Sequence, residues 1–333
     1  MERAIDTLEG KYRMNHAVGR RIEELERLAP PLTAQPDLDA YWDGELKRYA
    51  AKPLNATRTL VETPMAFMEA YDVAYEGFDE TPIRGWYLLP KFPRGDDRKL
   101  PCVVLYHGYG GSRGYPEDYA SYLLMGLAVF AIDVRGQAGE TGNLMPQPYG
   151  MTRGWLTQGI LDRDTCYYKA ITIDALKALD WAAEQPEVDR SRICAMGGSQ
   201  GGGLAMIAAA LSDKPAIAVP HIPNMCHMDF GILNSTSSLT EAASFVERFP
   251  GHLEAVLHTL SYFDNMNLAH RIRIPVFVTV GLKDPVTMPE TIYAAYNRIE
   301  GDKRIVPFPF TGHAVTGEMQ RQAMDFIASR LLQ

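Results

Sequence analysis

The stretch Arg192-Ile-Cys-Ala-Met-Gly-Gly-Ser-Gln-Gly-Gly-Gly203 decides how the chain is read. An apolar run, Ile193 to Met196, ends in Gly197-Gly198-Ser199-Gln200-Gly201, and a small-residue apolar stretch follows from Leu204 to Leu211. Strand, glycine-flanked serine and helix together make the setting of a nucleophile elbow. Gly197 and Gly201 let strand and helix pass closely without a Cβ clash, and the tight turn lifts the Ser199 hydroxyl clear of the sheet. The helix start beneath it offers free N–H groups and the positive end of a dipole. The same pattern also serves a tight turn without chemistry, so the reading depends on partners for Ser199 elsewhere in the chain.

Outward from this stretch, further unbroken apolar runs occur at 101–107, 127–133, 216–219, 275–280 and, more weakly, 304–308. Runs of this kind mark strands buried on both faces of a mainly parallel sheet. Helical patterns separate them at 115–124, 167–185, 202–211, 289–299 and 318–332. This alternation predicts an α/β fold with a doubly wound, mostly parallel sheet, and with the elbow at Ser199 it points to an α/β-hydrolase domain over 58–333. Ahead of it, residues 1–57 are predicted to form a helical extension, with one or two short amphipathic helices in 2–29 and another over 38–50 that Asp37 caps. Extended segments at 58–75 and 83–89 lead into the sheet. Residues 138–164 form a long irregular excursion. The stretch 221–270, with helical pieces near 239–248 and 252–262, is an insertion suited to a lid, a pocket wall or an oligomer surface.

A serine nucleophile needs a base, and the base needs an orienting carboxylate. In α/β-hydrolases the chain order is serine, acid, histidine. Of the histidines after Ser199, His313 alone lies in a loop between the last strand and the last helix, Phe308-Pro-Phe-Thr-Gly-His-Ala-Val-Thr-Gly317. His252, His258 and His270 fall in helical segments, and His221 and His227 have no metal-site spacing. The acid is expected where the 275–280 run ends, at Asp284, for which a plain turn aspartate before Pro285 is another reading; Asp264 and Asp302 are weaker candidates, because neither follows a strong strand. Two backbone N–H groups complete such a site: that of Gln200, just after the nucleophile, and that of Tyr109, in the loop His107-Gly-Tyr-Gly-Gly111. Asp133-Val-Arg135-Gly136-Gln137 ends the second run, and Arg135 is expected to brace neighbouring loops rather than act on substrate. Tyr167, Tyr168, Tyr293 and Tyr296 have spacings that suit packing.

Composition agrees with a globular enzyme. The 333 residues are 46% hydrophobic and 22% charged, and the net charge of −8 argues against nucleic acid or an anionic membrane as a partner. No apolar run is long enough to span a membrane, and the first residues lack the apolar core of a secretory signal. Cys102, Cys166, Cys194 and Cys226 are widely spaced, with no CxxC or His/Cys cluster for a metal. A cytoplasmic protein with reduced thiols is the simplest expectation.

Taken together, these motifs resemble the carbohydrate esterases of family seven, the cephalosporin C deacetylase and acetyl xylan esterase group. Asp37-Leu-Asp-Ala-Tyr-Trp-Asp43 is similar to the family's N-terminal helix motif, Arg135-Gly136-Gln137 to its RGQ motif and Gly197-Gly-Ser-Gln-Gly201 to its GxSQG motif. Tyr167-Tyr168, Ser261-Tyr-Phe-Asp264 and Ala294-Ala-Tyr-Asn297 add to the likeness, which runs from about residue 20 to the end. The resemblance implies hydrolysis of acetyl esters of sugars and small molecules. It implies Ser199, Asp284 and His313 as triad, Tyr109 and Gln200 as oxyanion donors, no cofactor and a homohexamer. Two departures stand out: Ala314 follows His313 where the family has glutamate, and Pro223-Asn-Met-Cys-His-Met228 is less aromatic than its counterpart, a stretch expected to line the acyl or alcohol side of the pocket. Two other readings fit the same residues. One is a prolyl-oligopeptidase-like peptidase, against which stands the shortness of the N-terminal portion. The other is a catalytically impaired binding or assembly protein.

Overall fold

The computed structural model describes residues 16–92, 99–148 and 154–333. Within these, helices α1 (Ala17–Glu26) and α2 (Leu38–Ala50) precede strands β1 (Thr57–Val61), β2 (Met68–Glu76), β3 (Pro82–Pro90) and β4 (Leu100–Tyr106). After a 3-10 turn at Pro116–Tyr119 come α3 (Ala120–Leu124), β5 (Ala128–Ile132), α4 (Tyr167–Glu184), β6 (Val188–Gly198), α5 (Gln200–Leu211) and β7 (Ile217–His221). The insertion supplies α6 (Met228–Asn234), α7 (Thr240–Arg248), α8 (Leu253–Ser261) and α9 (Asn265–Leu268). The chain ends with β8 (Val276–Gly281), α10 (Pro289–Tyr296), β9 (Lys303–Phe308) and α11 (Gly317–Leu331). Of the helices expected in 2–29, the part before residue 16 lies outside the described residues.

The strands form one nine-stranded sheet in the order β1-β2-β3-β5-β4-β6-β7-β8-β9. β1, β2 and β3 are antiparallel to one another and β3 is antiparallel to β5, while β5 through β9 run parallel. This is an α/β-hydrolase architecture. Side chains alternate across the sheet with period two. Cys102, Val104, Ile193 and Ala195 join the core under α2, α4 and α5. Val103, Cys194 and Met196 join the second core under α3 and α11. Both faces are therefore covered, which explains the unbroken apolar runs. From β4 the chain winds one way to β5, and from β6 it winds the other way to β7, β8 and β9. The crevice beyond the carboxyl ends of β4 and β6 is thus the switch point where such sheets hold their sites.

Helix α2 belongs to the main core. Trp42 is fully buried, and its indole N–H donates to the Tyr262 carbonyl at 2.8 Å. Two lysines of α4 are buried beside it for stated reasons. Lys169 pairs with Glu45 at 2.9 Å and Asp164 at 3.1 Å, and Lys177 donates to the Tyr49 and Lys52 carbonyls at the end of α2. Asp37 sits at the start of α2, but its carboxylate caps no helix N–H. It faces Arg163 at 2.7 Å and the Tyr262 hydroxyl instead. A charged partner and a phenol outweigh a single backbone donor here. The N-capping expected of Asp37 is found at Asp264, which accepts from His227 and Met228 at the start of α6 and from Met266 in α9. Burial pushes the Asp264 carboxyl up to about 7 while these three donors oppose the shift.

Candidate active site

The turn between β6 and α5 is built as its glycines require. A Cβ on Gly201 would lie 1.9 Å from the Tyr106 carbonyl oxygen, and one on Gly197 would lie 2.5 Å from backbone atoms of Gly201 and Tyr106. Neither position admits a side chain while strand and helix keep this approach. Ser199 has φ 57° and ψ −118°, a conformation rarely taken by a residue with a side chain. Its N–H donates to the His221 carbonyl at 3.0 Å, and its own carbonyl accepts from Asn224 at 2.9 Å and Gly203 at 3.0 Å.

Three distant side chains meet here. His313 Nε2 stands 3.0 Å from Ser199 Oγ, and His313 Nδ1 stands 2.8 Å from Asp284 Oδ2. The Asp284 carboxylate is buried and the His313 ring partly exposed. Asp284 Oδ1 accepts from the N–H groups of Val286 and Thr287 at 2.8 and 3.0 Å, and Oδ2 also accepts from the Thr287 hydroxyl at 2.8 Å. Those donors fix the carboxylate so that its remaining lone pair points at the imidazole. With Nδ1–H donated to Asp284, Nε2 is free to accept the serine proton.

Gly281, the last residue of β8, makes the meeting possible. A Cβ there would fall 2.6 Å from the Thr311 carbonyl and 2.7 Å from that of Gly312. Its absence lets the loop before His313 close over the end of β8. The N–H of Lys283 then donates to the Thr311 carbonyl at 3.1 Å. The sequence marks this only as a glycine in a short loop.

The loop after β4 comes up against the elbow, since a Cβ on Gly108 would sit 3.7 Å from Ser199 Cβ. Among the described residues, neither the Tyr109 N–H nor the Gln200 N–H has an acceptor. The side chain of Gln137 joins both: its Oε1 accepts from Gly110 N–H at 2.8 Å and its Nε2 donates to Gln200 Oε1 at 2.9 Å. Gly136 has φ 71°, which turns the chain between Arg135 and Gln137. Arg135 is wholly buried and held by Asp174 at 2.6 and 2.8 Å and by Asp79 at 3.0 Å. Burial disfavours its charge, but the two carboxylates outweigh that and hold its pKa above the usual arginine value. Tyr167, whose spacing suggests packing alone, also holds this turn. Its hydroxyl donates to the Arg135 carbonyl at 2.6 Å and accepts from Gln137 at 2.9 Å.

The stretch 223–228 does not lie open to the site as expected. Met225, Cys226 and Met228 are buried, and the chain there packs under α5. A Cβ on Gly203 would lie 2.4 Å from the Asn224 carbonyl oxygen. His221, at the end of β7, is buried with Nδ1 2.9 Å from Thr279 Oγ1 and, among the described residues, no partner for Nε2. Burial lowers its pKa to about 4. His107 is likewise lowered, chiefly by burial. It accepts from Val134 N–H through Nε2, which leaves Nδ1–H to donate to the Gly108 carbonyl.

The family model described as acetyl xylan esterase (AXE1) matches residues 18–331. The structure of an acetyl xylan esterase from Paenibacillus sp. R4 is similar with 40% identity and a TM-score of 0.89, covering 93% of this chain and 99% of that one. Acetyl xylan esterase 1 from Thermoanaerobacterium sp. JW/SL YS485 is similar with 29% identity and a TM-score of 0.86, covering 92% of this chain and 98% of that one. The acetyl esterase Axe7A of Xylanibacter ruminicola is 27% identical over 98% of this chain and 73% of its own length.

Two outcomes follow from the geometry. Gly281→Ala should displace the His313 loop, so the rate at which a fluorophosphonate labels Ser199 falls about 100-fold while circular dichroism stays unchanged. An unaltered labelling rate would show that the close approach is not needed. The lowered His221 pKa has a definite sign: the unfolded chain binds a proton below about pH 6.5 that the fold refuses until about pH 4. Stability from this group is therefore present above pH 6.5 and lost as pH falls. In urea unfolding, His221→Gln should lose about 2 kcal/mol less stability than wild type between pH 7 and pH 5. Identical losses would contradict this.

Proposed function

The chain belongs to the acetyl xylan esterase family and is a carboxylic ester hydrolase, and we propose that it removes acetyl groups from acetylated sugars such as xylo-oligosaccharides by a Ser199–His313–Asp284 triad. Acetyl esters of other small molecules, cephalosporin C among them, fit the same chemistry. The observation that carries the reading is the unbroken hydrogen-bonded line from Ser199 Oγ through the His313 imidazole to Asp284.

Ser199 Oγ attacks the acetyl carbonyl as His313 Nε2 takes its proton. The Asp284 carboxylate holds the imidazole in the needed tautomer and stabilises the imidazolium that forms. Negative charge developing on the carbonyl oxygen is met by the N–H groups of Tyr109 and Gln200. A donor of this kind typically contributes about 3–4 kcal/mol to the transition state. His313 then gives its proton to the departing sugar hydroxyl, which leaves an acetyl-Ser199 intermediate. Water, deprotonated by His313, attacks that ester; the bond to Ser199 Oγ breaks, acetate leaves, and His313 returns the proton to Ser199 Oγ. Gln137, by holding Gly110 and Gln200 together, keeps the two oxyanion donors at a fixed separation. Arg135 and Gly136 hold Gln137 in place and take no part in proton transfer.

The test is hydrolysis of p-nitrophenyl esters of increasing acyl length beside acetylated xylo-oligosaccharides. Acetyl esters should be the best substrates, and Ser199→Ala should lower kcat by at least about 10^4-fold. Retained turnover in Ser199→Ala, or a preference for long acyl chains, would overturn the proposal.

A further inference from the structure

The loop after β4 carries glycines at 108, 110 and 111, and Gly110 has φ 75°. Glycine has the freest backbone of any residue, so such a run does not by itself keep an N–H aimed in one direction. Besides His107, whose Nδ1–H meets the Gly108 carbonyl at 2.8 Å, two side-chain anchors from outside the loop hold it. One is Gln137, on the Gly110 N–H at 2.8 Å. The other grips the far end of the Tyr109 side chain.

There, the Tyr109 hydroxyl donates to Glu241 Oε2 at 2.7 Å and accepts from the N–H groups of Trp155 and Leu156 at 2.7 and 3.1 Å. These contacts use its donor and both lone pairs. The Trp155 ring stands edge-on to the Tyr109 ring at 5.2 Å. Glu241 lies in the first turn of α7, within the insertion, and is buried. Its carboxylate fills the space over Gly154, where a Cβ would fall 1.9 Å from Oε1. Gly154 has φ 64°, so that position is reserved for glycine on two counts.

We infer that Glu241 is a positioning residue for ester hydrolysis: from the insertion it fixes the Tyr109 phenol and, through that ring, the aim of the Tyr109 N–H. The inference rests on the reading of Tyr109 N–H as an oxyanion donor. A tyrosine side chain has only two torsions. Holding its hydroxyl at one end and the adjoining Gly110 N–H at the other fixes Cβ and the carbonyl carbon of Tyr109, and the tetrahedral Cα then fixes where its nitrogen sits; the Gly108 carbonyl, held by His107 Nδ1 at 2.8 Å and the Gly111 N–H at 3.0 Å, sets the plane of the Gly108–Tyr109 peptide that carries the Tyr109 N–H. An acceptor for the phenol proton thus becomes a determinant of how well the site receives charge on the substrate oxygen. The insertion accordingly completes the site from outside the sheet, and Gly154 and Trp155 of the long excursion share the same junction.

The experiment compares wild type, Tyr109→Phe, Glu241→Ala and Glu241→Gln on p-nitrophenyl acetate, with thermal unfolding of each. A second readout is inhibition by methylboronic acid, whose tetrahedral adduct with Ser199 places an oxygen at the oxyanion position. Tyr109→Phe and Glu241→Ala should lower kcat about 10- to 100-fold with KM within about threefold, because a donor that acts on the transition state is affected. Boronate inhibition should weaken by a similar factor. Glu241→Gln keeps an acceptor oxygen and should recover most of both. A kcat and boronate affinity for Glu241→Ala within about twofold of wild type would overturn the inference, as would a kcat loss with boronate affinity unchanged. An inactive wild type, or an active Ser199→Ala, would instead remove the reading of the site on which the inference rests.

Discussion

The strained backbone of Ser199 is the constraint around which the rest is arranged. A residue with a side chain held at φ 57° and ψ −118° costs about 1–3 kcal/mol, and it persists only where its surroundings leave no alternative. Here the surroundings are the His221 carbonyl on its N–H and the Asn224 and Gly203 N–H groups on its carbonyl. Glycines at 197 and 201 remove the atoms that would otherwise force β4, β6 and α5 apart. The hydroxyl that results stands above the switch point of the sheet. The other close approaches, Gly281 to the Thr311–Gly312 carbonyls and Gly108 to Ser199, bring the imidazole and the loop after β4 to that one point.

The elbow was legible in the sequence because its determinants lie within a few residues of one another. The order of Ser199, Asp284 and His313 was legible because loops at the carboxyl ends of parallel strands open on a common crevice. What escaped depends on partners far along the chain. Asp37 reads as a helix cap, yet its carboxylate is engaged by Arg163 and Tyr262, 126 and 225 residues away. Tyr167 reads as packing because helical spacing says nothing of what a buried hydroxyl meets. Residues 223–228 read as pocket lining, while the side chains of Met225, Cys226 and Met228 are buried against the core around α5. Glu241 stands in the first turn of a helix and carries no signal of its role in the sequence; only the folded chain places Tyr109 against it.

Ala314 follows His313 where the family resembled has a glutamate, and the consequence can be judged locally. His313 keeps both of its hydrogen-bonding partners. Its loop is fastened from the β8 side, by the approach at Gly281 and the Lys283–Thr311 bond, and by a turn in which Ala314 N–H donates to the Gly312 carbonyl at 3.0 Å. Backbone contacts thus hold the loop without any contribution from a side chain at 314.

In the proposed mechanism the acyl group passes through Ser199. Rapid quenching of the enzyme during turnover of p-nitrophenyl acetate, followed by proteolysis and mass spectrometry, measures this directly. One acetyl increment is expected on the peptide containing Ser199, appearing with the first burst of nitrophenol and disappearing as acetate accumulates. Steady turnover with no adduct on Ser199, or with the acetyl group carried on another residue, would contradict it.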